Sequence, residues 1–383
     1  MLKGIADLPL HTGQSPTWLF DRMKKLVKVI SEIIVKEQGT KIFLKRLSEP
    51  YWFQSFACVL GFDWHSSGTT TVTMAALKEA LKASELKEEI FIAGGKGKTS
   101  KKTPEEIKQT GEKFNLSDKK IEDLIKSSKL SAKVDNAVLQ DGFKLYHHNF
   151  VFTKKGEWCV IQQGMEEERG YARRYHWLSQ NLKSFKEFVS EPHEGIISNI
   201  LVKPLNMVAR ESEEARKTCL DLVRQKFSNL KKDIEKLKSF EKEQKTLFDF
   251  SLQFNLQSVN GFKMIREHFP NISKTKINFD AFIEAYEKQP EDYSELALIK
   301  GMGPANIRAL ALVSNLIYGC ELSWRDPCKF SFAHGGKDGW PYPVDKKNYD
   351  KNLEILKQVV EEAKIERKEK LAALRRLSRL VEI

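Results

Sequence analysis

The chain has 383 residues, with 64 Lys or Arg against 52 Asp or Glu, and its formal net charge is +12 at pH 7. That basic excess favours a polyanionic partner and salt-sensitive binding, although a densely charged, solvated surface would have the same composition. Five scattered cysteines without a C-x-x-C pair, no signal peptide and no apolar run of membrane-spanning length predict a cytoplasmic protein with reduced thiols and no membrane contact.

The N-terminal half is predicted to mix helices with strands. Apolar side chains recur with helical spacing over residues 16–35, and Ser15 before Pro16 is a typical helix start. Further helices are expected at residues 51–60, 72–81, from 103 onward and at 116–128, and a short strand at 90–93 precedes a Gly- and Lys-rich loop at 94–102. Strands at 143–152 and 158–163 flank residues 153–157, which predicts a β-hairpin.

After about residue 181 the pattern becomes almost purely helical. Lysine-rich helical segments are expected at residues 206–226 and 229–255, a Gly- and Pro-rich loop at 323–349 and a charged helix at 351–381. The sequence therefore predicts an α+β protein with two domains. The first, residues 1–180, mixes helices with a short β-hairpin or sheet and carries any reaction, and the second, residues 181–383, is mostly helical.

Residues 291–318 contain the most informative motif. A short helix is expected to end in Gly301-Met302-Gly303, followed by Pro304 in the first turn of a second helix. The glycines allow a tight turn with exposed N–H groups, and together with the positive end of the second helix these groups form a site for a phosphate. The pattern is similar to a helix-hairpin-helix, which binds the nucleic-acid backbone without reading bases. The alternative is a pair of helices whose turn binds nothing.

The predicted partner is DNA, whether single-stranded, double-stranded or branched, and its predicted contacts fall in four segments. They are Lys300, Gly301, Gly303, Asn306 and Arg308 in the hairpin, Lys96 and Lys98 in the basic loop, the pair Arg173 and Arg174, and Lys337 near the C-terminus. The basic loop lacks the spacing of an ATP-binding P-loop. Contact with DNA phosphates and simple solvation remain as its alternative roles.

A reaction site is predicted in the N-terminal half, where carboxylates and imidazoles surround the expected hairpin. Asp135 and Asp141 are expected to hold Mg²⁺ or Mn²⁺, which would activate water and stabilise the departing oxygen. The predicted catalytic residues are Asp141, His147, Gln163 and His65. Strand alternation sends His147 and its neighbour His148 to opposite faces. The alternative is that Asp141 caps a turn while His147, His148 and Gln163 form a buried hydrogen-bond network.

Three functions follow from these patterns. The preferred one is sequence-independent DNA binding coupled to metal-dependent DNA hydrolysis in repair or replication, and the main alternative is a non-catalytic architectural DNA-binding protein. The third is a helix-hairpin-helix DNA glycosylase, for which Asp326, 23 residues after Gly303, would be the catalytic aspartate. The hairpin has no lysine at the nucleophile position of bifunctional glycosylases, and an Asp-Pro pair is typical of a turn. Monomer and homodimer both remain open.

Unusual strings extend over nearly the whole chain. Examples are Gly4–His11, Leu60–Gly68, Ala93–Gly97, Ala172–Trp177 and Phe332–Gly339. On these strings the sequence resembles a mostly archaeal family catalogued only as domain of unknown function 763. The resemblance implies a helix-hairpin-helix protein from an organism of archaeal type, and it implies no particular activity or catalytic residue.

Overall fold

The computed structural model describes residues 17–61, 67–167, 170–198, 201–238 and 276–328, together with residues 354, 358, 360 and 361. Its helices include α1 (Thr17–Ser48), α2 (Pro50–Val59), α3 (Gly68–Lys82), α4 (Thr103–Lys113), α5 (Asp118–Lys133), α6 (Glu213–Arg224), α7 (227–238), α8 (Phe279–Lys288), α9 (Tyr293–Leu298) and α10 (Pro304–Leu316). Its strands include β1 (Ile90–Lys96), β2 (Leu139–Gln140), β3 (Lys144–Thr153), β4 (Trp158–Glu166), β5 (Tyr171–Leu178), β6 (His193–Ile197) and β7 (Leu205–Asn206). The predicted α+β fold is confirmed.

Five strands form one antiparallel sheet in the order β1-β3-β4-β5-β6, and β2 pairs separately with β7. The predicted hairpin between β3 and β4 is present: the Thr153 N–H donates to the Glu157 carbonyl at 2.9 Å, and the Gly156 N–H donates to the Thr153 carbonyl at 3.0 Å. Gly156 has a φ of 88°, a conformation that favours glycine. Local turn chemistry therefore fixes the register of the central strand pair.

Helices cover both faces of the five-stranded sheet. Side chains of α1, α2 and α3 pack on what we call the first face, around strand residues such as Val151 and Ile161. Helices α4 and α5 and the C-terminal helices pack on the second face, around Phe152 and Val160. Because side chains alternate along a strand, neighbouring residues such as Val151 and Phe152 enter different cores.

The sheet extends past the domain boundary predicted at residue 180. Strand β6 lies beyond that position and pairs with β5, and the core of the second face joins Trp177 to Phe282 and Leu310 of the C-terminal helices. The predicted boundary therefore falls between two hydrogen-bonded strands of one sheet. Sequence reasoning missed β5 because Arg173, Arg174 and His176 interrupt its apolar pattern.

Other differences are local. Helix α1 continues to Ser48 across a kink at Gly39, and the predicted loop at 94–102 forms the end of β1 and then a short helical turn, Gly97–Lys102. The helix expected at 206–226 is confined to α6. Residues 239–255, most of the 323–349 loop and most of the 351–381 helix lie outside the described residues. Among the described helices, none combines the length and the apolar character needed to cross a bilayer.

Candidate functional site

Residues 299–303 join α9 to α10 in a tight turn, as predicted. The Gly301 backbone has a φ of +79°, and a Cβ added there would lie 2.3 Å from the Asn278 side-chain nitrogen. Both the conformation and the space therefore require glycine. Within the turn, the Met302 N–H donates to the Ile299 carbonyl at 3.1 Å and the Gly303 N–H donates to the Gly301 carbonyl at 2.8 Å.

The N-terminal end of α10 is open. Pro304 occupies the first helical position, and the N–H groups of Ala305 and Asn306 form no hydrogen bond within the described residues. The first helical bond runs from the Ile307 N–H to the Gly303 carbonyl at 3.0 Å. Unsatisfied N–H groups and the positive end of the helix dipole together favour an anion.

Side chains from α5 and β2 brace this turn. Lys133 donates from Nζ to the Met302 carbonyl at 2.8 Å. Gln140 donates from Nε2 to the Pro304 carbonyl at 2.9 Å, and its Oε1 accepts from Arg308 Nε at 2.8 Å. The C-terminal part of the turn and the first residue of α10 are therefore held, and Arg308 is fixed beside them.

Lys133 and Arg308 are half-buried cations, and no salt bridge joins either of them to a carboxylate among the described residues. Burial lowers the pKa of both side chains. The sequence has no acidic residue between Glu295 and Glu321. Since a desolvated cation without a counter-charge destabilises the folded state, an anion bound between these groups would be stabilising.

Asn306 is a structural residue, which corrects the prediction that it contacts DNA. It is 1% exposed. Its Oδ1 accepts from the Asn278 N–H at 2.9 Å, and its Nδ2 donates to the Asn278 carbonyl at 2.6 Å. This paired bond fastens the chain before α8 to α10. Lys300 is exposed and remains, with Gly301 and Gly303, a predicted DNA contact.

Arg173 lies inside the protein with a side chain that is 0% exposed, so the prediction that it contacts DNA is wrong. Its guanidinium bonds to Asp141 at 3.0 Å and to Asp326 at 2.8 Å. Burial lowers the pKa of Arg173, but the two carboxylate charges outweigh burial and raise it. Asp141 also accepts from Tyr175 Oη at 2.7 Å and from the Phe143 N–H at 3.1 Å.

These contacts correct two further predictions. Asp141 caps a turn and neutralises Arg173, as the structural alternative proposed, so its oxygens do not face an open metal site. Asp326 is held by the same arginine and accepts from the N–H groups of Val202 and Cys328 at 2.8 and 2.9 Å. A carboxylate fixed in this way is poorly placed to act as the base of a glycosylase.

Asp135 is also satisfied internally. Its Oδ2 accepts from Trp177 Nε1 at 2.9 Å and from the Gln162 side chain, and its Oδ1 bonds to His193 Nε2. No group of three or more His, Cys, Asp or Glu side chains in the described ranges is arranged to hold a metal ion. The prediction that Asp135 and Asp141 share a metal is therefore unsupported by their geometry.

The sheet separates His147 and Gln163 from Asp135 and Asp141. His147 and His148 point to opposite faces, as predicted: His148 bonds to Ser128 of α5 at 2.9 Å, on the second face with Asp135. Gln163 lies on the first face, where its side chain bonds to Thr70 of α3. Alternation along β3 and β4 thus divides the expected constellation between two cores.

The first face holds its own buried polar network. Gln163 accepts from Thr70 and donates from Nε2 to the Ser67 carbonyl at 3.0 Å and to the Tyr146 hydroxyl. Arg174, fully buried, donates to Thr70 at 3.3 Å and to Gln54 at 3.0 Å. The prediction that Arg174 contacts DNA is therefore wrong as well.

His147 is buried and uncharged. Burial, together with the charges of His148 and Lys96, lowers the pKa of His147 to about 3, and its Nε2 bonds to the Asn149 side chain. An imidazole with so low a pKa is a weak proton acceptor at neutral pH, so this environment disfavours the predicted catalytic role. His65 and Lys337 lie outside the described residues. Lys96 and Lys98 are exposed and remain predicted DNA contacts.

Comparison with known proteins identifies the family of the chain. A family model described as "Protein of unknown function (DUF763)" matches residues 4–344. The chain belongs to the DUF763 family. No curated protein and no solved structure matches it. The braced turn and both buried networks lie within the DUF763 region, and the family description assigns them no activity.

Sequence reasoning missed two residues that shape the turn. Lys133 follows Lys126 and Lys129 at helical spacing, so the basic flank of α5 was a detectable signal. Gln140 gave no such signal, because it lies 164 residues before the carbonyl that it contacts. Only the fold brings it to the turn.

The buried charge cluster predicts a large stability effect. Arg173→Ala would leave Asp141 and Asp326 buried without their counter-charge, and we expect a loss of about 3–5 kcal/mol in the free energy of unfolding. Arg210 and Glu191 form a matched control pair at 3.2 Å whose side chains are 81% and 49% exposed. Arg210→Ala should cost at most about 1 kcal/mol. Urea denaturation measures both, and equal losses would contradict the assignment.

The neutral histidines predict an acid-sensitive fold. Burial lowers the pKa of His147, His148 and His176 in the folded state, whereas unfolded histidine takes up a proton near pH 6.5. The unfolded state therefore binds more protons below pH 6.5, and stability falls as the pH decreases toward 3.

In His147→Gln, the dependence of unfolding free energy on pH should decrease by up to about 1.4 kcal/mol per pH unit between pH 6 and 4. Thr153→Val, a buried and non-titrating position on the same strand, is the control and should keep the wild-type slope. Urea titrations at several pH values measure the slopes. Parallel slopes for wild type and His147→Gln would show that His147 titrates alike in both states.

The two turn glycines should respond differently to a methyl group. Gly301→Ala combines a positive φ with a contact to Asn278, so we expect it to lower stability by more than about 1 kcal/mol. At Gly303 the φ is −90° and the nearest atom to an added Cβ is 3.9 Å away. Gly303→Ala should be neutral or slightly stabilising. Thermal midpoints of the two variants test this, and equal shifts would refute it.

Proposed function

We propose that the protein binds the sugar-phosphate backbone of DNA, without reading base sequence, at the turn 299–303 and the cations around it. The observation that carries the proposal is the pair of half-buried cations, Lys133 and Arg308, that lie beside the open N-terminus of α10 without a salt bridge among the described residues. A phosphate there would supply the missing counter-charge and accept from the free N–H groups.

The orientation of Arg308 supports a phosphate as the ligand. Gln140 occupies its Nε at 2.8 Å, and the two terminal nitrogens form no hydrogen bond within the described residues. A guanidinium fixed at one edge presents its remaining donors in a plane, a geometry that matches two phosphate oxygens. Exposed Lys300 adds a further positive charge at the tip of the turn.

The flank of α5 extends the basic surface away from the turn. Lys126, Lys129 and Lys133 follow each other at three- and four-residue spacing and are all exposed or half-buried. Residues 124–134 include no acidic side chain. A row of cations on one helix face suits a polymer with regularly spaced charges better than an isolated anion.

Metal-dependent hydrolysis, predicted from the sequence, is the enzymatic form of this function. The internal partners of Asp135 and Asp141, and the separation of Asp141 from Gln163 by the sheet, favour the non-catalytic DNA-binding alternative. We therefore propose binding, and we include cleavage with Mg²⁺ or Mn²⁺ as an outcome of the same experiment.

Removal or reversal of positive charge at the turn tests the proposal. Lys300→Glu and Arg308→Met should weaken binding to a labelled duplex about tenfold, measured by fluorescence anisotropy, and equally for unrelated sequences. Each should also reduce the slope of log affinity against log salt by about one. Lys82→Glu on α3, on the first face of the sheet, makes the same charge change as Lys300→Glu and should bind like wild type.

Two outcomes would reject this function: no binding by the wild type at low salt, or equal weakening by Lys82→Glu and Lys300→Glu. The bound DNA is also incubated with Mg²⁺, Mn²⁺ or EDTA. Cleavage that appears with Mg²⁺ or Mn²⁺ and disappears with EDTA would restore the nuclease prediction, and its loss in an Asp141→Asn variant that still folds would assign Asp141 to the reaction.

A further inference from the structure

A shallow depression of about 370 Å³, largely open to solvent and called the pocket below, adjoins the turn between α5, the end of α8 and α9. Its lining residues are Lys126, Lys288, Pro290, Glu295, Leu298 and Ile299. Ile299 is also the first residue of the turn, where its carbonyl accepts from the Met302 N–H at 3.1 Å. A ligand in the pocket would therefore contact the residue at which the turn begins.

The lining has two chemical parts. Half-buried Leu298 offers apolar surface, and the buried residues Pro290 and Ile299 contribute the rest of the apolar lining. Glu295 contributes a carboxylate, whose Oε2 accepts from the Glu291 N–H at 2.9 Å. An apolar surface beside a carboxylate disfavours a phosphate inside the pocket and suits a flat ring with polar edges.

Lysines lie at the border of the pocket. Lys288 is largely exposed and pairs with Glu284 at 2.6 Å. Lys126 Nζ lies 4.3 Å from the centre of the Phe185 ring. Lys126 and Lys133 are seven residues apart on α5, two helical turns or about 10 Å, and Lys133 reaches the turn. The cations thus connect the turn to the pocket.

We propose that this pocket holds one unstacked base of a single DNA strand whose phosphate binds the turn. The inference rests on the proposed function and adds the form of the DNA. In a duplex, a base reaches the pocket only after it leaves its partner and its stack, whereas a single strand turns out a base at little cost. Single strands and frayed ends should therefore bind more tightly than an intact duplex.

The experiment compares three DNAs of equal length by fluorescence anisotropy: a single strand, its blunt duplex, and the same strand with abasic sites that keep every phosphate. We expect wild type to bind the single strand about tenfold more tightly than the duplex. The abasic strand should lose most of that advantage, because its charge is unchanged and only the bases are missing.

Leu298→Gln tests the pocket itself without a change of charge. It should reduce binding of the complete single strand about tenfold and leave binding of the duplex and the abasic strand unchanged. Leu116→Gln is the matched control: Leu116 is also half-buried against the same core, before the first turn of α5, and does not line the pocket. It should bind all three DNAs like wild type.

The outcomes separate the two proposals. If wild type binds the complete and the abasic strands equally, the base pocket is refuted and backbone binding at the turn stands. If wild type binds none of the three DNAs, both are refuted. The comparison of complete and abasic strands uses only the wild-type protein, so it decides the question even if Leu298→Gln fails to fold.

Discussion

A sheet covered by helices on both faces is the constraint on which the rest of this structure depends. Most side chains along its central strands are buried in one of two cores, so the polar ones among them need partners inside the protein. Gln162 and Gln163 illustrate this: adjacent in sequence, they bond to Asp135 on one face and to Thr70 on the other. Side chains of the types found in catalytic sites therefore serve here as hydrogen-bond partners for one another inside the protein.

The two faces of the sheet also explain why the residues of the predicted catalytic site lie in two separate cores. Carboxylate, imidazole and amide groups close in sequence suggested one centre, but a strand places its neighbours on opposite sides. His148 therefore shares a core with Asp135, while Gln163 joins the helices of the N-terminal segment. The polar segments of the sequence indicated that polar side chains are buried there. They did not indicate which of these side chains are in contact with one another.

Local physics accounts for what the sequence did predict. The hairpin at Thr153–Glu157, most helices and the turn around Gly301 follow from periodicity and from glycine and proline chemistry. Strand β5 was not predicted, because two arginines interrupt its apolar pattern. Their burial is possible only because residues distant in sequence, such as Asp326, neutralise or bond to them. The braces of the turn come from Lys133 and Gln140, more than 160 residues earlier, and no local pattern encodes such a contact.

Two arginines show how the environment decides a role. Arg173 is surrounded by its own carboxylates, whereas Arg308 is held only by an uncharged amide. Desolvation acts on both, but only in Arg308 does the positive charge remain unopposed by a salt bridge among the described residues. Of these two arginines, therefore, only Arg308 has a positive charge that no carboxylate among the described residues neutralises.

The neutrality of Gln140 therefore has a consequence of its own. A glutamate of the same length at this position could still accept from Arg308 Nε, but it would lose the amide donor to the Pro304 carbonyl and would carry a full negative charge. Its negative charge would neutralise Arg308 in place of the phosphate that we propose binds there. The neutral amide of Gln140 thus fixes Arg308 without neutralising it, and a replacement of the amide nitrogen by oxygen should weaken the proposed phosphate binding.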